Sequence, residues 1–541
     1  MEKKKEILVI VGSLLVIILS VTLAYFTVQI IGKGKEISLD SANLRIVFTS
    51  GTGTIAGAEI EPGWSSGVNT FTVKNESNDT YKYNIVIKDL VNTFVTKGFL
   101  QYKITSSDGG YNMSDFVDVP KSSQATDTIL AYSVEIAKGV THTYNVEFKY
   151  LTSEEDQSDD MGKELSGTLF IEEGTEKPLT LAEKLIKQNP TISARTDFST
   201  TYTETNTGTL FKSTESIAGS AAKDVYYFAG DAKNNWVKFG TYKINGPIRG
   251  YSSSTSTSYR EYVSMEECTS ASSYNYNCSY AWSAGDDIYW RIIRTNADGS
   301  VRILYSGTSP DTTSGYISVG SFNHSYWDPM YVGYMYGTSG TLASNRTNKN
   351  DSKIKEVIDA WYSSYLNSYT KYISATAVYC SDRNEQTDGA YNTGSTAFYY
   401  TSYYRATTSY LPSYNCTNSK DAFSGSNSEA KLTYPIALAT IDELMYAGGK
   451  YGTNLSSPYA WYYTNSNGES ITGNQSWWLL SPYGWYNELS RMWLSGDSDY
   501  PGYLGTHTFA SAVRPVTSIK SDVLWSSGDG SPENPYEIVY D

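Results

Sequence analysis

The chain carries few residues able to do chemistry: four cysteines, three histidines and scattered carboxylates. Cys268, Cys278, Cys380 and Cys416 form an even set, which in an oxidising exterior reads as disulfides. Three pairings are possible; the nearest-neighbour one, Cys268–Cys278 with Cys380–Cys416, is favoured, each bridge stapling a loop of a chain that needs neither to hold together. His142, His324 and His507 each stand alone and there is no His-Glu-x-x-His, so the histidines define no metal site. Carboxylate pairs for glycoside hydrolysis would have to come from Asp286, Asp287, Asp442, Glu443, Asp497 or Asp499. Spacing cannot choose two of these that stand ~5 to 9 Å apart. The acidic run from Glu154-Glu155-Asp156 to Asp159-Asp160 reads as a solvated hairpin loop, with a calcium site as the alternative. Asn296-Ala297-Asp298-Gly299 reads as a hairpin turn without the further ligands of a calcium loop. With no Ser-His-Asp set and no phosphate-cradling glycine loop, no catalytic residue, metal or cofactor is assigned.

What remains is contact surface. Tyrosine occurs 49 times, with Ser, Thr, Asn and Gly between the aromatics. That mixture makes rigid amphipathic binding surface, and it equally suits the edge strands of a secreted all-β protein. Two stretches concentrate it: residues 251–280, tied by Cys268–Cys278, and residues 391–414. Tyr274, Tyr276, Tyr400, Tyr403 and Tyr404 are the candidate ligand surface. Aromatic faces serve sugars and proteins alike, so the expected partner is an extracellular glycan or protein. A net charge of −15, with only 42 Lys and Arg, leaves no footprint for nucleic acid.

The elements that position these loops are legible in outline. Residues 7–31 are uncharged and mostly apolar behind Lys3-Lys4-Lys5, enough for a helix that crosses a membrane with its C-terminal side outside. Thr22-Leu23-Ala24 within the run also fits signal-peptidase cleavage between Ala24 and Tyr25, so anchor and signal peptide both stand. Short alternating runs follow, such as Thr70-Phe71-Thr72-Val73-Lys74 and Tyr83-Asn84-Ile85-Val86-Ile87, separated by turns such as Pro62-Gly63 and Asp108-Gly109-Gly110. They predict an antiparallel β-sandwich over residues 38–174. A capping box at Thr180 to Glu183 opens a helix, and a Ser/Thr-rich stretch to about Ser220 reads as an extended spacer or wrapping arm, giving a helix-and-spacer segment over 175–223. From 224 to 541 the pattern is mixed α+β. It holds a helix from about Ser352 to Tyr372 behind the cap Asp351, and another over Ile441 to Ala447 between Thr440 and Gly448-Gly449.

Two resemblances extend this reading. The leader ending Thr22-Leu23-Ala24-Tyr25-Phe26-Thr27, then Ile60-Glu61-Pro62-Gly63, Phe71-Thr72-Val73-Lys74-Asn75 and Tyr83-Asn84-Ile85, resembles the TasA/camelysin group of exported bacterial surface proteins. That resemblance, over about a quarter of the chain, implies a jelly-roll-like sandwich, self-association into fibres, and a donor strand in the segment from Tyr25 to Ser38. The metalloprotease label attached to camelysin finds no support in these residues. Toward the C-terminus, a helix ending in Gly-Gly is followed by Trp477-Trp478-Leu479-Leu480-Ser481-Pro482 and then Val513-Arg514-Pro515-Val516. This order resembles the formylglycine-generating-enzyme-like branch of the C-type lectin fold. The resemblance implies a compact core with long variable loops, with Trp477, Trp478, Arg514 and Pro515 structural and Arg514 paired with a buried carboxylate or carbonyls. Formylglycine generation uses two late cysteines, and here none follows Cys416. The calcium-lectin motifs Glu-Pro-Asn and Trp-Asn-Asp are absent too. The expectation is a non-catalytic cell-surface protein, membrane-tethered or secreted, displaying a lectin-like domain for adhesion or ligand binding. The alternatives are a fibre or matrix subunit, and an oxidase or glycosidase.

Overall fold

A computed structural model describes residues 24–30, 36–41, 44–50 and 58–540, apart from 155, 257, 387–389, 454–459, 496–500 and 507–509. The chain divides into two compact units, Met1–Lys177 and Pro178–Asp541. The regular structure of both is mostly β-strand, in several largely antiparallel sheets with few helices.

The first unit is β-sandwich-like. Its strands are β1 (Ala24–Ile30), β2 (Glu36–Ser41), β3 (Leu44–Ser50), β4 (Ala58–Ile60), β5 (Asn69–Asn75), β6 (Tyr81–Asn92), β7 (Leu100–Ser106), β8 (Val117–Asp118), β9 (Ser122–Ile136), β10 (Thr141–Tyr150) and β11 (Glu164–Glu173). One sheet runs β4-β1-β11-β6-β9, the other β2-β3-β5-β10-β7-β8. The period-2 pattern does the work: Phe71 and Val73 of β5 and Tyr144, Val146 and Phe148 of β10 turn inward, while Lys74 and Asn145 turn out. Phe71 stands opposite Tyr144, and their rings stack at 4.8 Å.

Here the apolar leader departs from expectation. Its last residues, Ala24–Ile30, are strand β1, paired parallel to β11 and antiparallel to β4. Tyr25, Phe26, Thr27, Val28 and Ile30 are aromatic or β-branched, and a waiting sheet edge outweighs the helical reading. The earlier part of the predicted anchor, with Thr22, lies outside the described residues. Among the described residues no helix is long and apolar enough to cross a membrane. The predicted donor segment is likewise occupied within its own unit, by β1 and by the pairing of β2 with β3. The acidic loop is not wholly solvated either. Asp160 is buried and accepts from Val95 N at 2.6 Å and Tyr150 Oη at 2.9 Å.

The second unit is built on an eight-stranded sheet centred on Asp287–Thr295 and Val301–Tyr305, joined by the Asn296–Gly299 turn with Gly299 at φ +82°. Residues 178–223 belong to this unit rather than forming a separate spacer. Leu181 and Leu185 of helix α1 (Leu181–Gln188), with Phe198, Leu210 and Phe211 beyond it, lie in its core. Helix α2 (Met265–Ser270) lies in the tyrosine-rich insertion. Helix α3 (Lys353–Tyr365) is capped by Ser352, not Asp351, whose carboxylate takes Lys355 Nζ at 3.1 Å, and gives way to a 3₁₀ turn over Asn367–Tyr372. Helix α4 (Ile441–Ala447) has the full Thr440–Glu443 capping box and ends at Gly448, φ +124°. Trp477, Trp478, Trp485 and Trp493 are buried in the strands Trp477–Tyr486 and Leu489–Ser495. Arg514 is buried among carbonyls, donating to Tyr462 O at 2.6 Å and Tyr305 O at 3.2 Å.

Candidate functional site

The densest collection of ionisable groups surrounds a small cavity beside Cys380. Glu443 leaves its capping box with one oxygen on Thr440 N and presents the other to Arg302 Nη1 at 2.5 Å and Arg294 Nε at 3.2 Å. Arg294 also reaches Glu215 at 2.8 Å. Across the cavity Arg405 grips Asp442 bidentately at 2.7 and 2.8 Å and Asp382 at 2.7 Å. Burial pushes the Glu443 carboxyl up, but Arg302 and Arg294 outweigh it and hold it below its usual range. Burial acts the same way on Asp382, where Arg405 and Thr401 win. Glu443 and Asp382 are therefore held ionised, the opposite of what a general acid needs. Asp286 Oδ2 accepts from Ser283 N, and Asp287 Oδ1 accepts from Thr241 Oγ1. Asp497, Asp499 and His507 lie outside the described residues. His142 accepts from, or donates to, Tyr83 Oη at 2.9 Å, and His324 stands 3.2 Å from Glu356. No cluster of three metal-ligating side chains occurs among the described residues.

The two disulfides are Cys268–Cys278, with Cα atoms 6.1 Å apart, and Cys380–Cys416, 5.7 Å apart. The first fixes the insertion. Its strands Tyr259–Tyr262, Ile248–Tyr251 and Tyr276–Tyr280 form a separate three-stranded sheet, and α2 carries Cys268 against it. A Cβ at Gly250 would meet Tyr274 O at 2.1 Å and Cys268 Sγ at 2.4 Å, so only glycine lets the bridge pack on that strand. Arg249 ties the sheet to the body, donating to Ile317 O at 2.6 Å and stacking on Tyr259 at 4.4 Å. The insertion's outer surface is open: Val263 is 94 % and Tyr276 52 % exposed, with Tyr274 half-buried under Arg260.

In the second stretch, Tyr404 is 42 % exposed and Tyr403 half-buried, stacked on Tyr399 at 4.2 Å. Tyr400 is a correction: it is fully buried, edge-on to Phe398, because its backbone N–H bonds Tyr483 O and turns the side chain inward. It presents nothing to a ligand.

A third feature went unread in the sequence. A groove of about 300 Å³ runs between the foot of the insertion and α3, lined by Glu261, Trp282, Ser318, Trp361, Ser364 and Tyr365 among others. Trp361 was visible only as part of a core-facing stripe, and nothing linked it to Trp282 or Glu261.

Compared with known proteins, the chain matches no family model and no curated protein sequence.

Proposed function

We propose that the protein is a non-catalytic bacterial cell-surface protein, membrane-tethered or released after cleavage behind Ala24, whose C-type-lectin-like second unit displays loops to an extracellular glycan or protein. The observation that carries this reading is the insertion of residues 251–280. It is an aromatic-rich sheet of its own, fixed by one disulfide and one buried arginine and open to solvent on its far side. Such a module adds rigid contact area that the core does not require. The test replaces residues 252–279 by a short Gly-Ser linker and measures retention of the full chain on immobilised mucin glycoprotein and matrix-protein surfaces. Loss of retention with an unchanged melting temperature is expected. Retention unaffected by the replacement, or no retention of the intact chain on any surface, overturns the reading.

One observation favours a second reading, a fibre subunit of the TasA/camelysin kind with a jelly-roll-like first unit. Strand β1 lies parallel to β11 with only the three-residue β4 outside it, a place another copy's N-terminal strand would fill equally well. Concentration-dependent polymers that disappear when residues up to Ile30 are removed would carry it; a monomer at all concentrations would end it.

A further inference from the structure

The groove between the insertion and α3 has the makings of a saccharide site, and we infer that it binds one pyranose ring of a neutral glycan. The inference rests on the display reading and names its ligand class. The aromatic geometry comes first. Tyr242 and Trp282 stack at 4.8 Å and 13°, and Tyr365 stands nearly perpendicular to both, at 5.3 and 5.2 Å. A ring equidistant from two stacked rings lies alongside the stack, and here Trp361 approaches it as well, at 6.2 Å. Tyr365 is half-buried and lines the groove. Trp282 offers no comparable face: Tyr242 covers one side, and Gly246 lies so close that a Cβ there would sit 2.5 Å from the indole. Trp282 and Trp361 are buried, so Tyr365 is the one part-exposed ring of the groove lining, where a quaternary ammonium is surrounded by several.

Polar groups decide the rest. Glu261 Oε1 accepts from Arg249 Nε at 3.3 Å, while Oε2 has no partner among the described residues and the side chain is 41 % exposed. Ser318 and Ser364 line the same space, and no Lys or Arg does. A carboxylate with a free acceptor and no lining cation disfavours sialic acids, phosphates and uronates. One part-exposed aromatic ring for the C–H surface of a sugar, one carboxylate and two serines for its O–H groups, in a space near the lower limit of ligand sites, suit a neutral pyranose. Ser364, Tyr365 and Trp361 all come from the last turns of α3, and Glu261 from the disulfide-fixed sheet, so both walls are rigid.

The test is saturation-transfer NMR on the full chain with methyl β-glucopyranoside, methyl β-galactopyranoside and N-acetylglucosamine, with N-acetylneuraminate and choline chloride as charged comparators. At least one neutral pyranoside should bind and neither charged probe should. Tyr365→Ala, and Ser364→Trp, which fills the groove from an exposed position, should each weaken binding about tenfold or more. Ser364→Trp keeps the test valid should Tyr365→Ala fail to fold. Binding of choline or N-acetylneuraminate in preference, binding untouched by Ser364→Trp, or no pyranoside binding at all overturns the inference. Failure of the display reading looks different: surface retention is then independent of the insertion while pyranoside binding and its loss in Ser364→Trp persist.

Discussion

Glu443 shows how much one side chain can hold. The Thr440-x-x-Glu443 spacing makes its capping role legible, because both partners lie within one turn. Its two arginines are not legible, since Arg294 and Arg302 come from strands far away in sequence and meet it only when the sheet is assembled. Removing one partner of a buried ion pair strands the other, at a cost of roughly 3–5 kcal/mol. Glu443→Gln leaves Arg294 with Glu215 but deprives Arg302, whose Nε has no hydrogen-bond partner among the described residues, of the one carboxylate paired with it among them. The second unit should therefore lose about 3–5 kcal/mol in urea denaturation, measured by its unfolding midpoint. A loss below 1 kcal/mol would mean that water or a rearranged arginine takes over. Tyr400 teaches the reverse lesson: among so many tyrosines without periodicity, nothing in the sequence marks which ring turns inward.

At the level of elements, alternation identified the strand around Thr70–Lys74, because a half-buried sheet imposes its period on the sequence, while Tyr83–Ile87 is buried on both faces. The arm of residues 191–220 carried no such signal. Its anchors Phe198, Leu210 and Phe211 are scattered among Ser and Thr, and only the surface of the second unit makes them core. The end of the leader, Ala24–Ile30, is strand rather than helix for a related reason, since apolar β-branched residues satisfy a membrane or a sheet alike. The Cys380–Cys416 bridge has a more specific task than stapling a loop. Cys416 O accepts from Ala218 N at 2.7 Å, and Cys416 N donates to Ser216 O at 2.9 Å, so the bridge clamps the arm beside Glu215. Its sequence separation is 36 residues. Closing a loop of that size contributes roughly 3–4 kcal/mol in the chain-entropy account. Cys380→Ser with Cys416→Ser should cost about that much and speed proteolysis within residues 214–220, read by peptide mapping. Loss of stability without faster cleavage there would separate the bridge from the arm.

For the whole molecule, each unit has a hydrophobic core of its own. Calorimetry should accordingly resolve two unfolding transitions, and acid should move one of them first. His142 is the only histidine of the first unit. Within its core Tyr111 N–H donates to Tyr144 Oη at 3.0 Å, Tyr144 and Tyr83 share a hydrogen bond, and Tyr83 Oη meets His142 Nδ1 at 2.9 Å. Desolvation pushes the His142 pKa below its ordinary 6.5, with Asp108 opposing only in part. The folded unit thus refuses a proton that the unfolded chain takes up. Stability from this group is complete above about pH 6.5 and is lost as pH falls from there toward the folded value. Between pH 7 and 5 the first unit's transition should shift down in temperature, and His142→Gln should flatten that shift; an unchanged slope in the variant would assign it elsewhere. The pairing of Tyr25 with Glu164 has a consequence in time as well as in space. The first strand of the unit closes against its last, so a chain emerging N-terminus first cannot complete that sheet until β11 has followed. Until then β1 has only the short β4 beside it and one edge of β6 is open, and it is during this interval, set by the rate of synthesis or export, that the strand can meet a sheet other than its own.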